Sequence, residues 1–137
     1  MAMEIFRPLH CAISVSDLEG AVNWFEDILG FKLLKKVEIA GPGLKIAFLS
    51  NGEGFQIEIF QHKEFIPMPA ERQMPRQDNQ TCGTKHIAFA VNDLDTLIEH
   101  FKSKGVKIVM GPEEILNMRV VFVHGPDSIP IEFIEEM

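Results

Sequence analysis

Apolar residues in this chain alternate with polar or small ones in short runs, and twice the alternation gives way to three- and four-residue spacing. LHCAISV (9–15) alternates and is β-branched enough to predict a strand. Asp17 then stands where a helix N-cap belongs. Leu18, Val22, Phe25 and Leu29 follow at helical spacing, and Gly30 sits where a C-terminal glycine ends a helix. FKLLKKVEI, LKIAFLS and FQIEIF predict three more strands. They are separated by Gly41-Pro42-Gly43 and by Asn51-Gly52, a strong hairpin signal. The same order then returns. KHIAFAV reads as a strand, and Asp93 caps a helix carrying Leu94, Leu97, Ile98 and Phe101, which Gly105 stops. VKIVM, MRVVFV and PIEFIE supply the last strands. The pattern is βαβββ, twice.

The two copies align on their histidines. His10/His86, Ala12/Ala88, Val15/Val91, Asp17/Asp93 and Leu18/Leu94 coincide without a gap, and Gly30 and Gly105 close the similar stretches one residue out of step. Glu58 follows His10 by 48 residues, and Glu132 follows His86 by 46. Two copies are too few for a solenoid and suit a pseudo-twofold pair. The expected organisation is a first module over 1–61, a connection over 62–84 and a second module over 85–137, an α+β fold with an internal repeat. The connection holds Met68, Met74, Arg72 and Arg76 among its prolines. That is too apolar for a plain solvated tether, so it is expected to cover something.

Successive strand residues point to opposite faces. Cys11, Ile13 and Val15, like Ile87, Phe89 and Val91, form large apolar sets suited to packing against the helices. His10 and His86 are left on faces lined by Ala12, Ser14, Ala88 and Ala90. Glu58 lies between Ile57 and Ile59, and Glu132 between Ile131 and Phe133, so both carboxylates project away from the helix side. A carboxylate buried there costs several kcal/mol unless it is compensated. If the two sheets pair, a concave face carries two imidazoles and two carboxylates. A divalent cation held by that set has a neutral shell, and with six-coordination it keeps two positions open. Zn, Ni, Co, Mn and Fe(II) all suit these donors, and Cys11 faces the wrong way to join them. A single strand histidine is usually a satisfied core or rim residue. It is the recurrence of both residue types at matching places that favours a metal site.

Charge and composition narrow the partners. With 13 Lys+Arg against 20 Asp+Glu, a net charge of −7 repels nucleic acid and anionic membrane surfaces. No apolar run approaches the ~18 residues of a membrane span, and MAMEIFRPLH lacks the basic and apolar regions of a secretory signal. Cys11 and Cys82 make no disulfide framework, so a cytoplasmic protein is expected.

Several pieces together resemble the vicinal oxygen chelate superfamily, the glyoxalase, bleomycin-resistance and extradiol-dioxygenase group. They are the His10 strand with Asp17-Leu18, Trp24-Phe25 leading into Leu29-Gly30-Phe31, and Glu58 within Gln-Ile-Glu-Ile. His86 after Gly83-Thr84-Lys85 and the closing GPDSIPIEF complete the set. The resemblance covers essentially the whole chain. It implies a cupped mixed sheet built from two βαβββ modules, with helices on the outer face and a divalent metal held by His10, Glu58, His86 and Glu132. It further implies a homodimer, with modules pairing within one chain or swapped between two.

The four-ligand pattern is closest to glyoxalase I, or lactoylglutathione lyase. It implies a lyase or isomerase acting on a small oxygen-chelating substrate through a metal-stabilised enediolate, with Glu132 first and Glu58 second as proton shuttle. Ser14 replaces the arginine, and His62 the asparagine, that serve glutathione in that enzyme. An epimerase like that for methylmalonyl-CoA would need an acid near Lys45, which LKIAFLS lacks. Glu58 occupies a position that an extradiol dioxygenase keeps open, and a binding protein of the bleomycin-resistance kind usually lacks the four ligands. Ser14, Phe60 and His62 are candidate substrate contacts beside Glu58. Arg119 is a candidate for meeting an anionic substrate, or a surface salt bridge.

Overall fold

The computed structural model describes residues 3–137. Met1 and Ala2, the first residues of the expected first module and of the segment read for a secretory signal, lie outside the described residues. The chain divides into two compact units, Met1–Phe65 and Ile66–Met137. The first contains β1 (His10–Ser14), α1 (Leu18–Leu29), β2 (Lys32–Ile39), β3 (Leu44–Ser50) and β4 (Gln56–His62). The second contains a short helix α2 (Pro75–Asp78), β5 (Ile87–Ala90), α3 (Leu94–Ser103), β6 (Ile108–Ile115), β7 (Met118–His124) and β8 (Pro130–Glu136).

Each unit builds a four-stranded mixed sheet in the same order, β1-β4-β3-β2 and β5-β8-β7-β6, so the fold is α+β with a structural repeat. The first strand of each unit pairs parallel with the last, and the remaining pairs are antiparallel. A parallel pair needs a long crossover, which α1 or α3 and the following hairpin provide.

The helices form where the pattern predicts them. Asp17 accepts from the Gly20 N–H and Asp93 from that of Thr96, each from extended backbone at the N-cap. The Thr96 backbone and hydroxyl donors hold the Asp93 carboxyl below its usual range. Gly30 adopts φ 71°, the left-handed conformation that ends α1 without a Cβ penalty. One face of α1 buries Leu18, Ala21, Val22, Phe25 and Ile28 against a sheet face whose Ala47, Leu49, Ile57 and Ile59 are fully buried. In the second unit Leu94, Ile98 and Phe101 do the same against Val121, Val123, Ile131 and Phe133. Each such Leu, Ile, Val or Phe side chain contributes about 1.5–3 kcal/mol of burial. It is this burial that fixes which strand residues are left facing the other way.

Three local expectations shift. β5 is four residues long, so His86 precedes the strand instead of lying within it. β4 extends through His62. β6 continues past Met110 through Pro112, because Pro112 lies on an edge strand at a register irregularity where its missing N–H costs no ladder bond. The 62–84 connection carries structure of its own, a 3-10 turn at Ala70–Arg72 followed by α2. Arg76 reaches both Glu113 oxygens at 3.0 and 2.9 Å, and His124 Nε2 donates to the Gln73 carbonyl at 2.7 Å. Glu113 and His124 share the sheet face of Glu132 by register, so this segment runs along that face.

Candidate functional site: two duplicated histidine–glutamate pairs

In the first unit Ala12, Glu58 and Phe48 occupy one cross-strand row, and Ser14, Phe60, Ile46 and Val37 the next. In the second unit Ala88, Glu132 and Phe122 make the equivalent row. Because Ile57 and Ile59, and Ile131 and Phe133, are taken by the helix-side cores, each glutamate is turned to the opposite face. The parallel neighbour strand, β1 or β5, then brings a histidine to it, His10 as the first residue of β1 and His86 as the residue just before β5. His10 Nε2 lies 3.4 Å from Glu58 Oε1, and His86 Nε2 lies 3.2 Å from Glu132 Oε1. Both carboxylates are 16% exposed, His10 is 36% exposed and His86 25%. The small Ala12 and Ala88 leave space beside each pair.

The donor chemistry fits a divalent ion. Two donor atoms each about 2.1 Å from one ion are separated by about 3.0 Å at a right angle and about 3.4 Å at the tetrahedral angle, the range both pairs occupy. Imidazole and carboxylate are the ligands that Zn, Ni, Co, Mn and Fe(II) accept. Each unit by itself offers two donors. Among the described residues no group of three or more His, Cys, Asp or Glu side chains is gathered to hold an ion. Cys11 faces away from His10, and burial pushes its thiol pKa up, which disfavours the thiolate a metal would need.

The other candidates separate. Ser14 and Phe60 are direct neighbours across β1 and β4 on the Glu58 face. His62 continues that face at the strand end, where it is exposed and its Nδ1 accepts from the Glu64 N–H at 3.3 Å. Of the two roles open to Arg119, substrate contact or salt bridge, the contacts match the salt bridge. Arg119 lies on the face opposite Glu132, where it donates to Asp95 at 2.8 Å and to Glu135 at 3.3 Å. The Asp95 hydrogen bond holds its guanidinium proton still more tightly than usual.

Two further pairs went unread in the sequence. Phe48 and Phe122 sit directly across from Glu58 and Glu132, and the Phe122 ring meets the His86 ring edge-on at 4.7 Å. Lys35 lies over the Phe48 ring, 5.0 Å from its centre. Gln61 accepts from the Leu18 N–H at 2.6 Å, and Glu135 from the Leu94 N–H at 3.3 Å, tying each helix start to the strand that carries the glutamate. The repeat offered a signal for both. Phe48 and Phe122 each precede their glutamate by ten residues, and Gln61 and Glu135 each follow it by three.

Asp78 is a second electrostatic centre, only 4% exposed. Burial raises its pKa, but hydrogen bonds from Lys85 and Arg72 and their charges outweigh that, and the net effect is a carboxyl held below the usual range. The folded pKa thus lies below the unfolded value of about 3.9. The stabilisation is complete above the unfolded value and is lost as pH falls through the folded one. Urea unfolding at pH 7 and pH 3 should therefore show a larger acid loss for the wild type than for Asp78→Asn. Equal losses in the two proteins would contradict the assignment.

Among the described residues no helix is long and apolar enough to cross a membrane. The Glyoxalase/Bleomycin resistance protein/Dioxygenase superfamily model matches residues 7–133. The uncharacterized protein YaeR of Escherichia coli K12 is 33% identical over 129 residues, covering 93% of this chain and 94% of that protein. A lactoylglutathione lyase of Haemophilus influenzae is 27% identical over 129 residues, covering 93% and 90%. The structure of a glyoxalase family protein from Enterococcus faecalis superposes with a TM-score of 0.80 at 22% identity, covering 94% and 97%. With that match spanning nearly the whole chain, and the same His–Glu pair in both sheets, this protein belongs to the glyoxalase/bleomycin resistance/dioxygenase superfamily.

Proposed function

We propose that the protein is a metal-dependent lyase or isomerase of the glyoxalase type, acting on a small substrate that chelates through neighbouring oxygens. The hemithioacetal of an α-ketoaldehyde, as a lactoylglutathione lyase would use, is the first candidate. The observation that carries this reading is the duplicated His–Glu pair, at 3.4 and 3.2 Å in equivalent registers of the two sheets. His10, Glu58, His86 and Glu132 would hold the ion, with the two pairs supplied by one chain or by two copies in a homodimer. The acidic charge and two free cysteines support a cytoplasmic setting.

When bound, a divalent ion supplies polarisation of a carbonyl oxygen and a counter-charge for the negative charge that develops there. The protein's own groups do the rest. Glu132 takes the proton from the carbon beside the carbonyl and returns it to the neighbouring carbon. His86 and the buried Phe122 ring hold that carboxylate in a poorly hydrated setting, which keeps its proton from exchanging with bulk water. Glu58 is the second shuttle candidate. Phe60 and Ser14 form the wall beside it, and their small or apolar character suits an uncharged part of the substrate.

Elemental analysis of protein purified without chelator tests the reading. The expected result is close to one divalent ion per chain, with turnover of the methylglyoxal–glutathione hemithioacetal lost on chelation and restored by Zn, Ni, Co, Mn or Fe(II). An ion-free protein that cannot be loaded, or loading that survives replacement of all four side chains, would overturn it. If the ion is present and this substrate is not turned over, acyl-CoA thioesters and catechols follow, since Ser14 and His62 stand where glutathione-serving residues would be.

A further inference from the structure

The two histidines are held by different means. His10 is the first residue of β1, and the ladder reaches past it, with the Gln56 N–H donating to the Leu9 carbonyl at 3.0 Å. His86 precedes β5, whose pairing with β8 begins at Ile87. What meets the chain just before His86 is the segment that opens the second unit, with its 3-10 turn and α2. Arg72 Nη2 donates to the Thr84 carbonyl at 2.8 Å. Lys85 Nζ donates to the Asp78 carbonyl at 2.8 Å, to Asp78 Oδ1 at 3.0 Å and to the Thr81 carbonyl. Arg72 Nε closes the cluster on the same Asp78 oxygen at 3.1 Å.

Asp78 is the one buried polar or charged side chain among the described residues. A buried carboxylate is a poor way to gain stability, because desolvation offsets most of the attraction. What such a cluster does well is fix geometry. Three oxygens around one ammonium and a guanidinium on the next carbonyl back leave residues 84 and 85 little freedom. His86 is the next residue along, and its ring must stand 3.2 Å from Glu132 and edge-on to Phe122.

We infer that the Asp78–Arg72–Lys85 cluster is the device that positions His86, so that the segment opening the second unit, ahead of β5, sets the ion affinity of the second His–Glu pair. The inference rests on the proposed metal site. Asp78, Arg72 and Lys85 are positioning residues. They act through the backbone of residues 84–86 and touch neither ion nor substrate. The first pair, built into its strand, needs no counterpart. Replacing groups that orient a metal ligand from behind typically weakens binding 10–100-fold, and a loss of at least tenfold is expected here.

The test uses the full chain with Asp78→Asn, Lys85→Met and, as a control, Ile98→Ala, which opens a cavity under α3 without touching the cluster. Co2+ affinity is measured by competition with a chromophoric chelator. In the metal-free protein at fixed pH, the imidazole 15N signals of His86 and His10 are followed by NMR. Both cluster variants should bind Co2+ at least tenfold more weakly, with the His86 signals displaced or broadened and those of His10 unmoved. Ile98→Ala should lower the unfolding midpoint yet keep the affinity within about threefold. Wild-type affinity in the cluster variants, an unmoved His86 signal, or an equal loss in Ile98→Ala would each overturn the inference. If the wild type itself takes up no Co2+, the metal reading fails, and the His86 signals still decide whether the cluster positions that ring.

Discussion

Replacing Glu132 by Gln is expected to lower turnover by about 10²–10⁴-fold, the span that a positioned acid–base group contributes, while most of the bound ion is retained. The amide keeps an oxygen where the carboxylate had one, so a ligand atom survives. What it cannot do is accept a proton from carbon and give it back. The two carboxylates are equally exposed, at 16%, and Glu132 is favoured over Glu58 because its neighbours are the more buried. His86 is 25% exposed against 36% for His10, and Phe122, across from Glu132, is buried. Steady-state rates and ion content for Glu132→Gln and Glu58→Gln, measured side by side, separate the roles. Full turnover by an ion-loaded Glu132→Gln protein would remove Glu132 as the base. A large loss in Glu58→Gln alone would transfer the role there.

The largest expected effect on stability comes from Phe101→Ala, at about 3–5 kcal/mol. Phe101 is fully buried, with its ring centre 5.0 Å from that of Phe133 on β8. Truncation loses the transfer energy of the ring and leaves a cavity that a helix pinned at both ends closes only in part. Phe25 is its partner in the repeat, 1% exposed and edge-on to Phe31 at 5.6 Å, so Phe25→Ala should cost a similar amount. Chemical unfolding of the two variants checks this, with the melting temperature expected to fall by about 10–20 °C. A loss below ~1 kcal/mol in either would mean that its helix is not anchored as described.

Much of this was open to reading along the chain. Alternation and helical spacing place the eight strands and both long helices, since a one-sided apolar pattern has only one stable way to face a core. The repeat supplied the four ligand candidates, because equivalent positions in two copies share a face. The failures follow from the same physics. Arg119 had no readable face because Val120, Val121, Phe122 and Val123 are all buried, and a strand covered on both sides loses its period of two. The connection over 62–84 reads as too apolar for a plain tether and as covering something, without saying what. Its role depends on Arg72, Asp78 and Lys85 meeting, and no periodicity encodes that encounter.

The amino-acid order alone therefore determined the duplication, the elements, and the side of each sheet on which His10, Glu58, His86 and Glu132 stand, because those are consequences of local backbone geometry and burial. Only the tertiary structure decided that each histidine meets the glutamate of its own copy across a parallel strand pair, 48 and 46 residues away in sequence. It also decided that His86 stands just outside its strand, next in the chain to Lys85 of the Asp78 ion cluster. Strand order and side-chain encounters over such separations are set by how the helices and hairpins pack as a whole, and no short window of the chain carries that information.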